Sequence, residues 1–212
     1  MANQAVTPEI APSTSERILD AAEDLFAEKG YSATSLGDVA DRVGIRSPSL
    51  YNHFRNKEAL YRAVLARLMQ EFSIPLRELD QGPLTYERVF EWLEMMVRQH
   101  HANPNLARLL QHAALSGGDH TKELIDQLFR PMFQPGATIE GKELSLFESS
   151  GLQPWAVMAF NNLVMSYVTM APMYRDLLGQ DPFSDAALEN QLNLIKTLLR
   201  AVFEYNDTEV SS

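Results

Sequence analysis

Thr34-Ser35-Leu36-Gly37-Asp38-Val39-Ala40-Asp41-Arg42-Val43-Gly44-Ile45-Arg46-Ser47-Pro48-Ser49-Leu50-Tyr51-Asn52-His53-Phe54 reads as two short helices joined by a tight turn. Ser35 and Asp38 have the spacing of a helix start, with a hydroxyl to accept the third amide and an acid in the first turn. Gly44 can take the positive φ that stops a helix. Ser47-Pro48 then places a capping hydroxyl before the residue best tolerated at a first helical position. Two helices of about two turns with a glycine turn between them predict a helix-turn-helix. Ala40 is small enough for close helix crossing, and Val39, Val43, Ile45 and Leu50 are apolar candidates for the seam.

The flanking residues extend this unit. Ser13-Thr14-Ser15-Glu16 has the capping-box pattern, in which Ser13 accepts from the third helical amide and Glu16 reaches back. Ile18, Ala21, Ala22, Leu25 and Phe26 follow at helical spacing, and Gly30 supplies a stop, so a helix over 14–29 is expected. On the other side Asn56 caps a longer run in which Leu60, Val64 and Leu68 share a stripe flanked by Tyr61, Leu65 and Phe72, before Pro75 disturbs it.

Further helices are expected over 85–101, 104–116, 119–133, 154–178 and 184–204, with a polar loop over 138–151. The periodicity is helical almost throughout, and no alternating β-branched run appears. The expected fold is therefore all-α: an N-terminal three-helix helix-turn-helix domain at 13–60, joined by a long helix to a larger helical domain at 61–205. Residues 1–12 and 206–212 read as tails, the first lacking the basic and apolar regions of a secretory signal. Residues 155–174 hold no charged residue over a length sufficient to cross a bilayer, but Asn161, Asn162, Ser166, Thr169 and Pro172 interrupt them. A buried helix is favoured over a membrane span.

The chain has no cysteine. That removes disulfide frameworks, thiolate zinc sites, iron–sulfur clusters and cysteine nucleophiles, and it suits a reducing cytoplasm. A net charge of −10 argues against coating nucleic acid through bulk positive charge. The charge is uneven, however: residues 1–72 hold 8 basic and 10 acidic side chains, residues 73–212 hold 10 and 18. Between Arg42 and Arg62 lie Arg42, Arg46, Arg55, Lys57 and Arg62 against Glu58 alone, a local balance of +4. DNA responds to fields within about 10 Å at 0.1 M salt, so a basic segment on an acidic protein can bind it.

Ser49-Leu50-Tyr51-Asn52-His53-Phe54-Arg55-Asn56-Lys57-Glu58-Ala59-Leu60 resembles the signature of the TetR family of bacterial transcriptional regulators. The resemblance extends over about 14–62, from Ile18-Leu19-Asp20-Ala21-Ala22 through Leu25-Phe26 and Gly30-Tyr31. Asn105-Leu106-Ala107-Arg108-Leu109-Leu110 with Gly117-Gly118-Asp119 is similar, more loosely, to effector domains of the same family. The resemblance implies a ligand-responsive regulator, most simply a repressor. Such a protein binds palindromic double-stranded operator DNA as a homodimer joined by its last two helices, and a small-molecule effector releases it.

Carried onto this chain, the resemblance puts the second helix of the motif in the major groove, with Arg46, Ser47, Pro48, Tyr51 and Asn52 as base-edge candidates. Arg46 stands where relatives often carry a capping Ser or Thr, so base contact and phosphate contact both remain open for it. Ser49, Tyr51, His53 and Lys57 are phosphate candidates, and Thr34 and Ser35 set a helix N-terminus toward the backbone. Phe54 reads as core, Tyr51 as core or contact, and Arg55 and Arg62 as solvated charges.

In the larger domain Phe90, Leu93, Met96, Val97, His100, His112, Trp155, Met158 and Asn162 are the candidate effector-pocket residues. Ordinary core is the competing reading for each of them. A helix apolar nearly all round, such as the one carrying Trp155 and Met158, must be buried on several sides, and nine methionines favour adaptable packing. Leu192, Ile195, Leu199 and Val202 form a stripe read as the dimer interface, with Leu194 and Leu198 adjacent. His100 and His101 point about 100° apart on a helix, and no carboxylate completes a metal set, so no metal or cofactor is expected. Glu87, Glu91 and Glu94 share a face, with Glu94 positioned to pair Arg98. No nucleophile elbow, phosphate loop or metal triad supports a helical enzyme, and an interaction protein without DNA binding is the other alternative.

Overall fold

The computed structural model describes residues 11–79, 85–117, 138–139, 142–143 and 153–210, with positions 122 and 126. The fold is all-α, with one two-residue antiparallel pairing of Thr138–Ile139 and Lys142–Glu143 inside the segment expected to be a loop. The helix expected over 119–133 lies outside the described residues. The chain divides into two compact units at residues 66 and 67.

The first unit is built from α1 (Thr14–Ala33), α2 (Leu36–Val43), α3 (Ser47–Tyr51) and the start of α4 (Lys57–Leu79). Ser13 and Glu16 form the expected capping box, Ser13 Oγ accepting from the Glu16 amide at 3.3 Å and the Glu16 carboxylate accepting from the Ser13 amide at 2.7 Å. Gly30 takes φ +77° and interrupts α1, but a last turn continues to Ala33. Ile18, Ala22 and Phe26 of α1, Val39 and Ala40 of α2, Leu50 of α3, and Leu60 and Val64 of α4 are fully buried. Burying apolar surface of this kind contributes about 25 cal/mol per Å². Phe26 meets Tyr61 edge to face at 5.0 Å, and Tyr31 meets Tyr61 at 4.9 Å. Burial pushes the Tyr61 hydroxyl up to about 12, so it stays protonated at any physiological pH.

Gly44 ends α2 in the left-handed conformation at φ +76° and ψ +35°, and the Ile45 amide returns to the Ala40 carbonyl at 3.0 Å. No atom lies within 4 Å of where a Cβ would stand. Gly44→Ala is therefore strained by backbone conformation alone, and it should lower stability by about 1–2 kcal/mol. Gly44→Asn should lose less, because Asn tolerates this region. Chemical denaturation of the two variants checks both, and equal losses would show that a steric clash governs the position.

The second unit contains α5 (Tyr86–Ala102), α6 (Asn105–Ser116), α7 (Gln153–Thr169), α8 (Ala171–Leu178) and α9 (Asp185–Val210). α5 packs on α9, α7 and α6, while α7 also meets α6 and α8. Val89, Leu93 and Val97 of α5 join Val164 of α7 and Leu192, Ile195 and Leu199 of α9 in one buried cluster. The single helix expected over 154–178 is two helices. Met170 leaves helical geometry at φ −92° and ψ 0°, and Pro172, with no N–H to donate, stands in the first turn of α8. α4, by contrast, continues past Pro75 to Leu79. Among the described residues no helix is long and apolar enough to cross a membrane.

Candidate nucleic-acid interface

The α2–α3 pair is positioned by capping chemistry at α2 and by one anchor in α3. Ser35 Oγ accepts from the Asp38 amide at 3.1 Å, and the Asp38 carboxylate accepts from the Ser35 amide at 2.9 Å and the Ser35 hydroxyl at 2.8 Å. These bonds, the Ser35 backbone N–H first, hold the Asp38 carboxyl below the usual carboxylate range. Ser35 thus closes the amino end of α2 with its own side chain. In α3 only Leu50 is fully buried. Around that anchor Ser47, Pro48 and Tyr51 are exposed and Ser49 is half-buried.

α3 begins one residue earlier than the Ser47 cap implied. Arg46 is the N-cap, with no side-chain bond to the helix amides, and Pro48 lies in the first turn. The Arg46 carbonyl accepts from the Ser49 amide at 2.9 Å, which leaves the guanidinium to other work. Arg46, Ser47, Pro48, Tyr51, Asn52 and His53 are exposed, and Ser49 and Phe54 are half-buried. Tyr51 is 54% exposed and so is not a core aromatic. Among the described residues Arg46 and Arg55 have no acidic partner, whereas Arg42 pairs with Glu28 at 3.6 Å and Arg62 with Glu58 at 2.7 Å. Arg46 and Arg55, beside α3, are therefore available to a polyanion.

Two expected contacts have other surroundings. Thr34 is buried, its hydroxyl directed to the carbonyls of Leu25 at 3.1 Å and Gly30 at 2.9 Å. A hydroxyl bonded inward cannot also reach a phosphate, so Thr34 acts by fixing the entry to α2. The Lys57 ammonium donates to the Thr34 carbonyl at 2.7 Å and the Ser32 carbonyl at 3.3 Å and lies 4.4 Å from the centre of the Tyr31 ring. The Lys57 arrangement is not visible in local spacing, because its two carbonyl partners are 23 and 25 residues back along the chain.

Among the described residues the expected effector-pocket positions differ in burial. Leu93 and Val97 belong to the buried cluster and His100 is buried, Phe90, Met96 and His112 are half-buried, while Trp155, Met158 and Asn162 are exposed. The His100 ring bonds the Met96 carbonyl at 2.8 Å, and burial holds its pKa down at about 4, leaving the ring neutral. Asn162 lines a half-open cleft of about 490 Å³ with Ser166, Tyr174, Gln180 and Asn190, between α7, α8 and α9. No residue of α5 lines it. The buried Gln191 ties three helices together, donating to the Leu163 carbonyl at 3.2 Å and accepting from His101 Nε2 at 2.7 Å. A glutamine inside an apolar stripe was the available sign of this role.

The expected dimer stripe needs correction. Leu192, Ile195 and Leu199 are at most 4% exposed because they pack on α5 within the same unit. They are not available to a second copy. The Val202 side chain lies outside the described residues. Leu194 and Leu198, one turn apart on another face of α9, are exposed, as are Met173 and Leu177 of α8. Among the described residues no three His, Asp or Glu side chains come together as a metal site.

Residues 18–64 match the family model described as bacterial regulatory proteins, tetR family. The chain is 49% identical to the HTH-type transcriptional repressor ComR of Escherichia coli over 55 residues, which is 26% of each chain. It is 39% identical over 94 residues to the HTH-type transcriptional repressor KstR2 of Rhodococcus jostii, covering 42% of this chain and 46% of that one. The matches thus span less than half of these relatives. The fold extends further: a structure of the fatty acid degradation regulator FadR from Bacillus halodurans superposes with a TM-score of 0.58, covering 90% of this chain and 96% of that chain at 19% identity. The capped α2, the glycine turn and the outward α3 thus lie in the segment, residues 18–64, that matches the family model of the tetR bacterial regulatory proteins.

Proposed function

We propose that the protein is a ligand-responsive transcriptional repressor that binds palindromic operator DNA as a homodimer and is released by a small-molecule effector. The outward face of α3 carries this reading: a helix fixed by one buried leucine presents Arg46, Ser47, Pro48, Tyr51 and Asn52 together. Their donors suit base edges in a major groove, with Arg46 able to bidentate a guanine and Asn52 an adenine. Ser49 and His53 flank them as phosphate contacts, and the amino end of α2 at Ser35 favours an anion. A repressor of bacterial genes works in the cytoplasm, where the DNA is.

A two-fold DNA site calls for a two-fold protein, with the α3 helices about 34 Å apart. The exposed Leu194 and Leu198 of α9, with Met173 and Leu177 of α8, supply an apolar surface for the second copy. An effector in the second unit is favoured by the Trp92 Nε1 and His101 Nδ1 atoms, both buried without a partner among the described residues. Buried polar atoms are ordinarily satisfied, and a polar ligand would satisfy them. Release then follows from population shift: a ligand that prefers a conformer with a different α3 spacing draws the dimer off its operator.

Selection of duplexes from a random pool identifies the preferred site. Against that site Asn52→Ala should lose about 1–3 kcal/mol and relax the preference at one base position, leaving the others intact. Binding that falls equally on every duplex would assign Asn52 to the phosphate backbone, and unchanged binding would remove α3 from the groove.

A further inference from the structure

We propose that Lys57 is a positioning residue: its ammonium locks the first turn of α4 to the corner between α1 and α2 and so holds α3 in its reading position, rather than contacting a phosphate. This inference rests on the DNA-binding reading above. Two of the three ammonium hydrogens are engaged by the Thr34 carbonyl at 2.7 Å and the Ser32 carbonyl at 3.3 Å. The Tyr31 ring, 4.4 Å away, covers a further approach, and the cation is held there by the ring's negative face. Each of these partners belongs to the five-residue passage from Gly30 to Thr34 that ends α1.

That passage is fixed at its other end as well. Thr34 bonds the Leu25 and Gly30 carbonyls of α1, the Tyr31 hydroxyl donates to Glu58 at 3.1 Å, and Glu58 also accepts from Arg62 at 2.7 Å. Ser35, the next residue, caps α2, whose Gly44 turn leads directly into α3. A displacement of the first turn of α4 therefore pulls on the amino end of α2 through a charged hydrogen bond and a tyrosine. α4 is a single helix from Lys57 to Leu79 that continues into the second unit, so the lock sits at the DNA end of the one element shared by both.

A lock and a phosphate contact respond differently to loss of charge. A phosphate contact weakens all duplexes alike and lowers the slope of log affinity against log salt by about one. A lock acts on the geometry of α3 and affects only the duplex that α3 reads. The test measures the full-length protein, Lys57→Met and Lys57→Arg against the duplex selected by the wild type and a scrambled duplex, across a salt series. Amide hydrogen exchange at residues 34–38 is followed in parallel.

Lys57→Met should bind the selected duplex about tenfold more weakly, in line with loss of a charged hydrogen bond, while scrambled-duplex affinity and the salt slope stay unchanged. Exchange at 34–38 should rise, and Lys57→Arg, which can serve both carbonyls and the ring, should restore both readouts. Equal weakening of the two duplexes with a shallower slope, or no change in either, would overturn the lock. If Lys57→Met does not fold, Tyr31→Phe, which cuts the Glu58 tie and keeps the ring, should show the same selectivity loss on a smaller scale, and a uniform loss there overturns the proposal. If the wild type binds no DNA, the DNA reading fails on its own, and faster exchange at 34–38 in the Lys57 variant still decides the lock.

Discussion

The double variant Leu194→Asp with Leu198→Asp should sediment as a monomer and lose operator affinity by about 10²–10⁴-fold, the advantage that joining two binding heads confers. Both leucines are exposed on the outer face of α9, so two carboxylates there leave the subunit's own packing intact. In an interface the same carboxylates would be buried in pairs of like charge without partners, which is strongly unfavourable. Leu199→Ala supplies the contrast. Leu199 is fully buried on α5, and its truncation should remove about 2–5 kcal/mol of folding stability while the folded fraction still dimerises. A dimer that survives both aspartates would place the interface elsewhere. A monomer produced by Leu199→Ala at full folding would restore the inner stripe to that role.

Phe26→Ala should lower the unfolding free energy of the first unit by about 3–5 kcal/mol, the range for a buried aromatic replaced by a methyl group. Phe26 is fully buried and is joined edge to face by Tyr61 at 5.0 Å, with Tyr31 stacked at 6.1 Å. Its loss removes the centre of a three-ring cluster in a unit of only 66 residues, where a small core leaves little reserve. Denaturant unfolding with a probe in this unit measures the change, and operator affinity should fall with the folded fraction. A loss below about 1 kcal/mol would mean that Tyr31 and Tyr61 collapse into the space, as cavities sometimes do.

The reading head was legible because its determinants are local. Ser13 with Glu16 and Ser35 with Asp38 satisfy helix amides three residues away, and those bonds formed as the spacing implied. The break between α7 and α8 was not read, because helical spacing runs on across Pro172 and one helix over 154–178 was expected. The backbone partners of Lys57 were not legible in the sequence. A hydroxyl or an ammonium near a DNA-binding motif has no local cue to tell it from one that serves a distant carbonyl, and the partners of Lys57 are 23 and 25 residues back along the chain.

The larger unit shows where periodicity stops. A stripe such as Leu192, Ile195 and Leu199 reveals that one face of a helix is covered, because a 3.6-residue period aligns side chains regardless of what they meet. Whether the cover is α5 of the same chain or a second copy depends on where α5 comes to lie, and α5 begins about a hundred residues earlier. The sequence by itself therefore determined the helices of the first unit, their caps and the exposed residues of α3, all governed by neighbours within a turn. Only the tertiary structure decided that the inner stripe of α9 is core, that Leu194 and Leu198 are left outside, and that Lys57 faces backbone carbonyls, because each is set by contact between segments remote along the chain.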